Sequence, residues 1–167
     1  MAGVTTAPAT PNTIVLKSLG IGERYSEGLV QAAKTITPGY LVERVVDDES
    51  QPKWQGHSTA GGYAEIVVAV ELGFVADIPK QTYSGGTIDD VYNAGDLVRL
   101  HHCHKGDELF MLVPASASAI VITDFLTSNG DGTLKKATST DQRLFKPLQA
   151  LDNSAGATTA RIRVRVL

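Results

Sequence analysis

The stretch from Asp89 to Pro114 constrains the fold most, because turn and strand signals alternate along it without a break. Asn93-Ala94-Gly95-Asp96 collects residues that favour turns, and Leu97 to Cys103 is rich in strand formers. Lys105-Gly106-Asp107 is a second turn, followed by the apolar run Leu109 to Val113. The pattern predicts two strands joined by a tight turn, a hairpin around which the other strands are laid.

The same grammar recurs along the chain. Pro38-Gly39 suits the centre of a type II turn and predicts a strand from Tyr40 to Val46. Ala64 to Leu72 is the longest apolar run and shows no alternation. A strand of that kind is covered on both faces, which predicts a place at the centre of the fold or in a subunit interface. Ile14 to Leu16 and Ala119 to Thr123 read as strands, and Leu126 to Leu134 carries a strong turn signal. Phe145 to Leu151 and Thr158 to Leu167 flank Asp152-Asn153-Ser154-Ala155-Gly156 and predict a closing hairpin. In its last strand Arg161, Arg163 and Arg165 alternate with Ile162, Val164 and Val166, so the two sets occupy opposite faces. Gly20-Ile21-Gly22 reads as a turn. Asp47 to Gly62, with Trp54 and His57, and Ile78 to Ile88 read as loops. Tyr25 to Lys34 stays open, since Leu29, Ala32 and Ala33 have helical spacing but Gly28 interrupts them.

With Val and Thr abundant and little helical periodicity, the class is all-β. A chain of 167 residues suits one domain that buries roughly 70% of its unfolded surface. Residues 1–13 are small and polar, with Pro8 and Pro11, and form a flexible arm that cannot fold alone; residues 14–167 form a single β-rich domain. A net charge of −3 argues against partners such as nucleic acid or an anionic membrane. One cysteine allows no internal disulfide, no apolar run approaches the ~18 residues of a membrane span, and the start lacks the features of a signal peptide. A soluble protein that is not conventionally secreted is expected.

The sharpest chemical motif is His102-x-His104-x-x-x-Glu108. Residues two apart share a strand face, so both histidines could reach one ion while Glu108 returns across the turn. The spacing resembles the first metal motif of the cupin barrels, which implies a metal-binding barrel enzyme. That pattern takes a further histidine from a second motif downstream, and no histidine follows His104. An exposed polar strand beside a turn explains the same letters, so no metal or cofactor and no catalysis are expected. Gly56-His57-Ser58-Thr59-Ala60 lacks the last glycine of a nucleophile elbow. Asn129-Gly130-Asp131-Gly132-Thr133 starts like a calcium loop, but Thr140 stands where a glutamate is required, and a hairpin turn is the better account. Cys103 lies opposite His102 and His104 on a regular strand and reads as a packed thiol.

Three segments carry a family resemblance by their order: Ile36-Thr37-Pro38-Gly39-Tyr40-Leu41-Val42-Glu43, Ile88 to Val98, and Leu126 to Leu134. Together with the Asp152-Asn153-Ser154 turn and the Arg161 to Leu167 strand, they resemble the capsid decoration, or cement, proteins of tailed bacteriophages. The resemblance implies a β-barrel or β-tulip domain on the outer surface of the virion, made in the host cytoplasm and assembled as a trimer, alternatively a dimer. It further implies capsid stabilisation through the major capsid protein, with an N-terminal arm in which Val4, Thr5, Thr6, Thr10, Asn12 and Ile14 are the candidate capsid-binding residues. A tail-tube or head-fibre component needs the same β-rich, self-associating body.

Overall fold

In a computed structural model, Pro11 and residues 13–19, 24–45, 52–71 and 88–167 are described. The proposed arm up to Asn12, the Gly20-Ile21-Gly22 turn and most of the Ile78 to Ile88 loop lie outside the described residues, apart from Pro11 and Ile88. The described chain is all-β and holds no helix.

Five strands close a barrel in the order β2 (Tyr25–Val30), β4 (Lys53–Gly56), β3 (Leu41–Val45), β5 (Val67–Ala69) and β6 (Leu97–His102). β2 and β4 pair in parallel and the other barrel pairs are antiparallel. A six-stranded sheet packs beside it in the order β1 (Val15–Lys17), β7 (Glu108–Val113), β13 (Ala160–Val166), β11 (Phe145–Pro147), β9 (Leu126–Ser128) and β10 (Leu134–Lys136). β8 (Ala117–Ile120) and β12 (Leu151–Asn153) form a separate two-stranded ribbon.

The unbroken apolar run now has its reason. Val67 and Ala69 point into the barrel beside Val30, Val42, Trp54, Val98 and Leu100. Val68 and Val70 point outward and join Leu109, Met111, Ile162 and Val164 in the core shared with the sheet. β3 divides likewise, with Val42 inside and Leu41 outside. β5 is therefore a wall between two cores, and each valine it buries stabilises the fold by roughly 1.5–3 kcal/mol. Of the two places the pattern allowed, the centre of the fold is the one observed.

Other expectations hold with adjusted limits. Pro38-Gly39 turns the chain into β3, with Gly39 at φ 92° and the Tyr40 N–H donating to the Thr37 carbonyl at 3.0 Å. Asn93 to Asp96 is a turn, and Leu126 to Leu134 is a hairpin whose glycines, Gly130 and Gly132, have φ near 90° (89° and 87°). β13 buries Ile162, Val164 and Val166, and its arginines face away.

Three expectations are corrected and one open stretch is resolved. β6 and β7 are not a hairpin: the turn between them forms, but β6 is already flanked by β2 and β5, and β7 by β1 and β13. The chain crosses from barrel to sheet at that turn. The loop around Trp54 contains β4, because the indole fills the barrel and draws its backbone into register with Arg44. The open stretch Tyr25 to Lys34 is strand β2 and a turn rather than a helix. The closing pair β11 and β13 forms, but β12 between them leaves to pair with β8.

Gly28 explains how the indole fits. A Cβ there would lie 2.4 Å from Trp54 Cδ1 and Nε1, inside a barrel that gives the ring no room to move. Gly28→Ala should therefore destabilise the protein by about 1–3 kcal/mol, seen as a lower denaturant midpoint at unchanged slope.

Candidate interaction face and buried polar corner

The crossing from β6 to β7 is built on Asp107, which is fully buried. Its Oδ2 accepts the Arg24 guanidinium at 2.9 Å and the His104 N–H at 2.9 Å, and its Oδ1 accepts the Leu19 N–H at 2.8 Å. His101 Nε2 lies 3.4 Å from Oδ2, and the Tyr25 ring packs against the imidazole with centroids 5.1 Å apart. Gly106, at φ 94°, donates its N–H to the Val166 carbonyl and locks the corner to β13. Burial alone would raise the Asp107 carboxyl, but the two backbone N–H groups and Arg24 outweigh it and hold it below 3.8. Burial pushes His101 below 6.5 against the pull of Asp107.

His101, Cys103 and Asp107 bring one ligand atom each within 4.8 Å of one another. A nitrogen, a sulfur and an oxygen could serve a divalent metal. The fit is poor, because Arg24 already occupies the carboxylate and burial pushes the Cys103 thiol up, away from the thiolate a metal needs. The corner is an ion pair that joins β-elements.

The motif predicted from spacing is dispersed. His102 sits at the barrel end, where Nε2 shares a hydrogen bond with the Ser26 hydroxyl at 2.7 Å. His104 is exposed in the turn, and Glu108 accepts Arg165 at 2.9 Å on the sheet. The break between barrel and sheet separates the two histidines from Glu108. Cys103 is the packed thiol expected. Arg24 and Asp107 were not legible as partners, since 83 residues separate them; the one local signal was an aspartate directly after the turn glycine.

The elbow-like segment is also structural. His57 Nε2 faces the Tyr63 carbonyl at 3.1 Å, which can only accept, so Nε2 carries the proton and Nδ1 accepts from the Ser128 hydroxyl at 2.8 Å. Glu43 lies 3.8 Å from the ring, but Ser128 is fully buried and its oxygen also accepts the Gly130 N–H. Serine, histidine and carboxylate here brace β4 against the β9–β10 turn. Within that turn Asp131 accepts the Thr133 N–H and hydroxyl, which leaves the calcium-like loop as the hairpin turn expected.

Of the candidate capsid-binding residues, Val4, Thr5, Thr6, Thr10 and Asn12 lie outside the described residues. Ile14 is fully buried in the chain's own core, and its N–H donates to Glu71 at 3.0 Å. On the outer face of β7 and β13, register sets the buried Leu112 beside Arg161, the buried Phe110 beside Arg163 and Glu108 beside Arg165, and of these side chains Arg165 is the exposed one. Arg161 is tied down by the carbonyls of Pro38 and Ile88 and by Asp89 at 3.2 Å. A hollow of about 1120 Å³ lies over this face.

The corner makes stability depend on pH in two steps. Below about 6.5 the unfolded chain takes up a proton at His101 before the folded chain does, so stability declines from there to the lower folded value. The Asp107 contribution is present above 3.8 and disappears as pH falls through the lower folded value. Melting temperature against pH should show both declines, and His101→Gln should abolish the first. Asp107→Ala should cost about 3–5 kcal/mol at neutral pH, because it leaves Arg24 buried without a counter-charge.

No protein-family model matches the chain, and no curated protein does. Among solved structures it is similar to the N base of the head fibre gp8.5 of bacteriophage phi29, at 10% identity over 86% of this chain and 92% of that one, with a TM-score of 0.55. At that identity the likeness is one of fold, and it extends over nearly the whole of both chains.

Proposed function

We propose that the chain is a structural protein of a bacteriophage head that acts by binding, with no catalytic step. The observation that carries this reading is the fold shared with the head-fibre base along almost its full length. The order of motifs that resembles capsid decoration proteins points the same way. In the finer reading, the β-body sits on the outer surface of the shell as a trimer, alternatively a dimer, and bridges major capsid subunits. Residues 1–13 form the arm that docks on them, and residues 14–167 are one unit. Affinity per copy can be modest, because an oligomer touching several subunits gains from effective concentration.

The head-fibre neighbour favours a second reading within the same class, in which this body is the foot from which a fibre rises. The metal-enzyme alternative has no geometry to support it, with His102 engaged by Ser26 and Glu108 by Arg165.

Co-sedimentation with empty heads of the parent virus tests the proposal. The full chain should pellet with heads, and light scattering should give the mass of three or two chains. Deleting residues 1–10, which spares the Thr13 and Ile14 contacts to Glu71, should leave the melting temperature unchanged and abolish pelleting. Failure of the full chain to bind heads overturns the role; unchanged binding by the truncated chain overturns only the arm.

A further inference from the structure

We infer that the outer face of β7 and β13 is a docking groove for an acidic, extended segment of a partner polypeptide, with Arg163 as the receptor for its carboxylate. Three guanidinium groups stand in a row on this face, and two are already satisfied. Arg161 holds Asp89 and two carbonyls, and Arg165 holds Glu108. The Arg163 guanidinium, between them, has no hydrogen-bond or ion-pair partner among the described residues, although the residue lines the hollow of about 1120 Å³. Phe110 and Leu112 close its floor but are nearly buried, so the apolar surface it offers comes from the half-buried Leu16 and Leu148 at its sides. One unengaged guanidinium between apolar sides suits a strand-like segment that alternates carboxylate and apolar side chains, since the planar fork binds a carboxylate through two parallel hydrogen bonds.

Charge selects among possible occupants. The chain's own residues 1–10 contain no Asp or Glu, so they offer nothing to Arg163. A nucleic acid backbone needs several free cations at once, whereas two of the three arginines are neutralised and the chain carries −3 overall. A single partner carboxylate balances the single open cation. The argument uses only the chemistry of this face and does not depend on the proposed role at the phage head.

Two-dimensional amide NMR of the full chain tests the inference, with a capped peptide of alternating Val and Glu as the probe. The peptide should shift amides of β7 and β13 around Phe110 and Arg163, and a Val-Gln peptide should not. Arg163→Glu, and the milder Arg163→Gln, should keep the wild-type melting temperature and lower peptide affinity by at least about tenfold. Equal binding of the Gln peptide, unchanged affinity in both variants, or no shift on this face overturns the inference. A stronger shift of the same amides by a short DNA duplex overturns it in favour of a nucleic-acid face.

Discussion

The two halves of the molecule depend on one buried carboxylate. Asp107 stands where the chain leaves the barrel for the sheet, and it gathers a guanidinium and two backbone N–H groups from three separate segments. Such an ion pair adds little net stability over an apolar substitute, but removing one partner is expensive. Its effect is therefore on geometry: with Arg24 and Leu19 bound to Asp107, β2 must start beside β6, and the barrel closes.

Closure has a consequence for packing. A strand in a small barrel that also backs a sheet has no solvent face, so β5 carries apolar residues at every position and feeds two cores at once. The same wall makes the barrel intolerant of added volume, since Trp54 fills it against a strand that has room only for Gly28. A filled interior suits a body that presents surfaces to partners, which agrees with the proposed structural role.

Much of the fold was legible in the residues themselves. Strand positions, the Pro38-Gly39 and Asn129 to Thr133 turns and the two faces of β13 follow from local sterics and period-two alternation, which need no knowledge of the rest of the chain. β4 was hidden because Lys53, Gln55 and Gly56 look polar, and only the indole of Trp54 reveals a strand once the barrel encloses it.

Pairing was the part that local rules did not carry. The turn at His104 to Asp107 was correctly placed, yet a turn specifies reversal and not partnership, and β6 and β7 each found two better neighbours. His102, His104 and Glu108 looked convergent along the chain and diverge in space for that reason. The sequence by itself determined an all-β chain, its turns and the alternation of its last strand, because these depend on backbone sterics and on which side chains avoid water. The tertiary structure alone decided which strands pair, which of three arginines is left unengaged and which carboxylate is buried, because these depend on contacts between residues far apart in the chain.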